Sequence, residues 1–140
     1  MIPYTKDMIK DFCEYDTSPD KKANNPAADF FFKVDDESRL VDNSRAKVFH
    51  TFFNKALFVT NISRPDIHTA VAFLTTRMRG PNRDDWKKML RLIQYLRNTI
   101  DMPLTLCADD TNIVKWWVDG SYAVHADMHS QTGGTMSLGK

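Results

Sequence analysis

The chain has 140 residues, enough for one ordinary domain or two small pieces sharing a boundary. Its 42% hydrophobic content can support a core, while a net charge of +1 says little until its distribution is read. No stretch approaches the roughly 18 apolar residues of a membrane helix, and no basic start followed by an apolar run marks a signal peptide. Cys13 and Cys107 are isolated thiols without motif spacing, so no disulfide can be inferred, and they suit a reducing compartment. An intracellular chain, cytoplasmic or nuclear, is expected, with no membrane partner.

In chain order, residues 3–14 (PYTKDMIKDFCE) can make a short helix with Tyr4, Met8, Ile9 and Phe12 on one side. Residues 16–25 are polar and broken by Pro19, which reads as a mobile linker. The run FFFKV at 30–34 is a short apolar segment that must be pinned to a neighbouring surface, because a free aromatic run invites aggregation. Asp42 or Ser44 can cap a helix through about Thr60, with Phe49, Phe52, Phe53, Ala56 and Leu57 at helical spacing and Phe58-Val59 widening the buried face.

Two further helix starts follow. Ser63, Pro65 and Asp66 read as N-cap, early-turn proline and capping-box acid, ahead of the stripe Ile67, Ala70, Val71, Leu74 and Met78. Gly80-Pro81 stops that helix, and Asn82 with Asp85 caps the next, whose stripe is Trp86, Met89, Leu90, Ile93, Leu96 and Ile100. Three amphipathic helices with short connections predict a compact bundle. After Ile100 the pattern changes. Met102-Pro103 breaks the helix, residues 104–106 are β-compatible, and residues 108–112 read as a turn. Residues 112–125 are rich in β-branched and aromatic side chains, and residues 135–138 suggest a second strand entered through Gly133-Gly134. Across the polar loop 126–131 they would form a hairpin. The expected fold is thus α+β: an N-terminal segment with a polar linker at 1–42, a helical bundle at 43–100 and a hairpin or small sheet at 101–140.

The ordered pieces of residues 63–99 resemble the end of the reverse transcriptase of Ty1/copia-type retrotransposons. The pattern consists of Arg64-Pro65-Asp66-Ile67, Ala70-Val71, Pro81 before the Trp86 helix, and the close Tyr95-Leu96-Arg97-Asn98-Thr99. Later segments extend the likeness over roughly residues 44–140. One departure is Asn54-Lys55, standing where the family usually carries small mid-helix residues. The resemblance implies a thumb-like bundle that holds a primer–template duplex, followed by the first β-hairpin of a ribonuclease H-like domain.

Charge fits that implication. Residues 1–42 carry six basic and ten acidic side chains, whereas residues 64–97 carry eight basic and three acidic. The helical pair is therefore the basic part, as a surface gripping nucleic-acid backbone needs. Lys87, Lys88 and Arg91 lie on the Trp86 helix, largely off its stripe, and are the expected phosphate contacts. The same charges also suit an ordinary solvated helix face. Trp86 belongs to the core stripe rather than to a base-stacking platform. Trp116 and Trp117 are adjacent in a strand and face opposite ways, so at most one lines a core.

Val118-Asp119-Gly120-Ser121 resembles the first ribonuclease H strand, in which a mid-strand Asp begins a cluster of metal-binding carboxylates. Two-metal phosphodiester hydrolysis needs several carboxylates converging on one spot. The resemblance makes Asp119 the candidate catalytic and Mg²⁺-ligating residue of the intact parent enzyme; on the residues alone, an Asp before Gly is an ordinary turn or bulge. His125 and His129 are four apart, but no third ligand stands beside them, and loop histidines are the better account. No Tyr-x-Asp-Asp polymerase motif occurs; the Asp pairs at 35–36, 84–85 and 109–110 lie in acidic, helix-start or turn contexts. The expectation is a retrotransposon fragment that binds no metal and has no polymerase or nuclease activity by itself. The alternative is a non-enzymatic nucleic-acid-binding remnant or a decayed element.

Overall fold

Asn82 and Asp85 close a reciprocal cap at the start of the longest amphipathic stripe. The Asn82 carboxamide oxygen accepts from the amides of Asp84 and Asp85 at 3.0 and 2.9 Å, and the Asp85 carboxylate accepts from the Asn82 amide at 2.9 Å. Such a box satisfies amides that the first helical turn cannot pair internally. In the computed structural model, which describes residues 1–16, 21–109, 111–122 and 130–139, this cap opens helix α4, Arg83–Asn98. Ahead of it stand α1 (Ile2–Cys13), α2 (Asn43–Ile62) and α3 (His68–Thr76). Behind it β1 (Lys115–Ser121) and β2 (Gln131–Ser137) form an antiparallel hairpin, so the chain is α+β. It divides into two units, Met1–Met102 and Pro103–Lys140.

In the helical unit, Trp86, Met89, Leu92, Ile93 and Leu96 of α4 are buried. Leu90 and Ile100, expected on the stripe, are only partly buried, and Leu92 takes the central place. The expected three-helix bundle has a fourth member. Met8, Ile9 and Phe12 of α1 are buried, and the Phe12 ring stacks on Trp86 at 5.6 Å and meets Phe52 of α2 edge-on at 4.9 Å. Aromatic pairs in these arrangements add roughly 1 kcal/mol beyond the area they bury. Asp42 caps α2 by accepting from the Arg45 amide at 2.8 Å. The inner face of α2 is Phe49, Phe52, Phe53, Ala56 and Val59, while Phe58 is exposed and meets Tyr4 edge-on. The unusual mid-helix pair is accommodated at the surface: Asn54 faces solvent and Lys55 pairs with Asp11 of α1 at 2.6 Å.

The start of the third helix differs from expectation. Ser63 ends α2, and its hydroxyl lies toward the Val59 carbonyl. Residues Pro65–Ile67 form a 3₁₀ turn behind Arg64, and α3 begins only at His68. Asp66 caps nothing; its carboxylate is engaged by side chains instead. Helix α3 stops at Thr76, short of Gly80-Pro81. Thr75 and Thr76 there donate their hydroxyls to the Val71 and Phe73 carbonyls, the local bonding that makes threonine a poor helix continuer.

Residues 21–42 wrap the helices rather than standing apart. Ala23 is buried, and Phe31 is fully buried against Phe73 of α3, with ring centroids 5.8 Å apart. Phe32 meets the same ring edge-on at 5.7 Å. Residues 39–41 run beside the α3–α4 turn: the Val41 amide donates to Pro81 and the Arg83 amide to Arg39. Of the expected mobile linker at 16–25, Asp16 accepts from Trp86, Ala23 is buried and Asn25 accepts from Arg91, while Lys21, Lys22, Asn24 and Asn25 are exposed; residues 17–20 lie outside the described residues.

In the hairpin unit the register runs from Lys115 opposite Ser137 to Ser121 opposite Gln131. Strand β1 is shorter than residues 112–125, and residues 104–106 form no strand. Asn112 adopts a left-handed conformation with φ 53°, as a turn residue can, and the Asp109 amide donates to Leu138 at 3.1 Å. Gly139 sits where a side chain would collide with the Cys107 carbonyl, only 2.0 Å from a Cβ built there. The expected connecting loop, with His125 and His129, lies largely outside the described residues.

Candidate nucleic-acid interface and the Asp119 strand

The basic side chains of α4 fall into three environments. Lys87 is exposed and has no ion-pair partner among the described residues. Lys88, one position on, is buried to 2% exposure. Its ammonium pairs with Asp84 at 2.8 Å, donates to the Lys33 carbonyl, and lies 5.0 Å above the Phe73 ring. Segment 31–35 covers this side of α4, so the expected off-stripe position of Lys88 is in fact interior. Arg91 is half-buried, donating through Nη2 to Asn25, while its buried Nε has no partner among the described residues. Of the three expected phosphate contacts, Lys87 alone presents a free charge.

Arg83 joins it. Its side chain is exposed, and it lies four residues before Lys87, one helical turn away on the same face. That i, i+4 spacing is visible in the sequence, with Arg83 directly after the capping residue Asn82 as the first residue of α4. Arg79, before the cap, is also exposed. Trp86 lies in the core as expected, 5% exposed, with its indole N–H donating to Asp16 at 3.0 Å and the Arg45 guanidinium over its ring at 5.3 Å.

At the far end of α4 a polar network joins both ends of the helical pair. The Arg64 guanidinium grips Asp66 through Nε and Nη2 at 2.9 and 2.8 Å. It also reaches the Thr99 carbonyl at 3.0 Å and the Thr99 hydroxyl at 2.7 Å. Tyr95 donates its hydroxyl to Asp66 at 2.8 Å, and its ring lies 5.4 Å from the guanidinium carbon. Burial opposes charge at Arg64, but the hydrogen bonds and charge of Asp66 outweigh it and raise its pKa. Burial likewise works against the Asp66 carboxylate, yet bonds from Arg64 and Tyr95 hold it below the usual range. Burial and the adjoining carboxylate push Tyr95 up. Bidentate, charge-assisted bonds of this kind fix geometry as well as contribute energy.

Asp119 lies in mid-strand opposite Gly133, exposed to solvent. Trp116 and Trp117 flank the same strand on opposite faces and are 67% and 48% exposed, so neither is buried in a core. Mg²⁺ in a nuclease site is shared by several carboxylates, and Asp119 is one donor with a glycine across the ladder. Among the described residues no group of three or more His, Cys, Asp or Glu could hold a metal ion.

Among the described residues no helix is long and apolar enough to cross a membrane. Comparison of the chain with protein-family models, curated proteins and solved structures finds no match in any of the three.

Proposed function

We propose that the chain is part of a Ty1/copia-type reverse transcriptase–ribonuclease H. In this reading Met1–Met102 contains a thumb-like body that touches a primer–template duplex, and β1–β2 are the first strands of a ribonuclease H-like domain. One observation carries the proposal. The two ends of the resemblance, Arg64-Pro65-Asp66-Ile67 and Tyr95-Leu96-Arg97-Asn98-Thr99, meet in one hydrogen-bonded network. Arg64 and Asp66 supply one half, and Tyr95 and Thr99 supply the other. A pattern whose distant pieces depend on one another physically is less easily assembled by chance than four unrelated motifs.

The duplex contact falls to the exposed cations Arg83 and Lys87, which can neutralise phosphates without reading bases. In the intact parent, Asp119 would be one of several carboxylates holding Mg²⁺, which supplies the Lewis acid for phosphodiester hydrolysis. This chain by itself is read as inactive in both polymerisation and hybrid cleavage. The test is the reading frame that encodes it. A Tyr-x-Asp-Asp sequence upstream and further strand-borne carboxylates downstream, in frame, are expected. Flanking frames that encode an unrelated domain would overturn the reading.

A further inference from the structure

Helix α1, which the family resemblance does not reach, and the end of the α4 segment enclose a second basic feature. A groove of about 320 Å³ runs between them, with Ile9, Cys13 and Ile100 as an apolar floor. Lys6 and Lys10 stand along one wall and Arg97 on the other, and among the described residues no carboxylate lines it. Lys6 and Lys10 are exposed, one helical turn apart on α1, and neither has an ion-pair partner among the described residues. Cys13 is half-buried at the floor.

We infer that this groove seats the sugar–phosphate backbone of a nucleic-acid strand. Charge complementarity selects the occupant. Cations on both walls can flank a row of phosphates, while the apolar floor accepts the sugar edge between them. An acidic protein helix would need recognition beyond charge, and the groove offers few polar groups to provide it. The site depends on the docking of α1, since the other side presents only Arg97 of α4 and Ile100 just beyond it. The inference rests on the duplex-binding reading above and extends the contact surface to the N-terminal helix.

Two measurements on the full chain test it. In a Cys107→Ser background Cys13 is the remaining thiol, and saturating duplex DNA should slow its alkylation by a maleimide several-fold. The Lys6→Ala/Lys10→Ala variant, altered at exposed positions, should keep its unfolding midpoint and lose about two from the slope of log affinity against log salt. If the wild-type chain binds duplex but Cys13 labelling and that slope are both unchanged, the groove is not a backbone site while the Arg83–Lys87 surface stands. A wild-type chain that binds no duplex overturns both. Protection of Cys13 by anionic vesicles but not by DNA would assign the groove to lipid and also overturn the inference.

Discussion

Arg64 and Thr99 are 35 positions apart, yet the guanidinium of one donates to both the carbonyl and the hydroxyl of the other. The contact fastens the end of α4 to the junction that follows α2. Arg64→Ala would take the bidentate guanidinium partner from the Asp66 carboxylate, leaving it the Tyr95 hydroxyl, and would remove the side-chain donor that the Thr99 carbonyl shares with the Met102 amide. The expected loss is about 3 kcal/mol of unfolding free energy, measured by urea titration. A loss within about 0.5 kcal/mol, the range of an ordinary surface substitution, would show that the network contributes nothing net.

The same network sets a pH window. Asp66 is depressed in the fold, so its contribution is present above the unfolded carboxylate value near about 4 and is lost as pH falls through the folded value. Tyr95 is raised, so its contribution is present below the unfolded value near about 10 and is lost as pH rises through the folded one. The stability difference between wild type and Asp66→Asn should therefore shrink on acidification below about pH 4. Tyr95→Phe should flatten the alkaline limb. Parallel pH–stability curves for wild type and both variants would contradict the assignment.

Lys87 and Lys88 are neighbours in sequence with opposite consequences. Lys88→Ala removes a buried cation from Asp84 and the Lys33 carbonyl and should cost about 2 kcal/mol or more, with the salt dependence of duplex binding unchanged. Lys87→Ala should leave stability alone and lower the salt slope by about 1. Denaturant unfolding and anisotropy titrations on the two variants distinguish them. A reversed pattern would mean that segment 31–35 does not cover α4 in solution.

How much of this was legible is clearest along α4. Its cap could be read directly because Asn82, Asp84 and Asp85 act on one another within a single turn. Phe31 was legible as a residue in need of a surface, though not as a partner of Phe73. The environment of Lys88 was not readable, because the carbonyl it meets lies 55 positions earlier, in a segment with no regular structure. The role of Asp66 was misassigned for a related reason. Proline followed by an acid is a local helix-start signal, but Arg64 and Tyr95 claim the carboxylate, and only the tertiary fold brings Tyr95 there.

In the hairpin, Lys115 bonds the Asp109 carboxylate and the Thr111 hydroxyl donates to it at 2.6 Å. Lys115 first and Thr111 second lower its pKa to about 2. Carboxyl titration by NMR should find Asp109 ionised well below the ordinary range, and Lys115→Ala should return it toward that range. An unshifted Asp109 in the wild type would show that the turn ahead of β1 is open in solution.

Asp119→Asn separates catalysis from folding in an intact parent enzyme. The side chain is exposed, so the variant should fold normally. Cleavage of an RNA–DNA hybrid should drop by orders of magnitude, while primer extension continues at its separate site. Persistent cleavage would make Asp119 an ordinary strand residue.

The salt dependence of duplex binding tests the central claim most directly. Fluorescence anisotropy of the whole chain with labelled duplexes of unrelated sequence, between about 50 and 200 mM salt, should show weak, sequence-blind binding. Log affinity should fall linearly with log salt, by about 0.9 for each phosphate contacted. Arg83→Ala/Lys87→Ala should make that line shallower by about two contacts. Binding that is absent at the lowest salt, or indifferent to salt, would contradict a phosphate-gripping role for the helical unit.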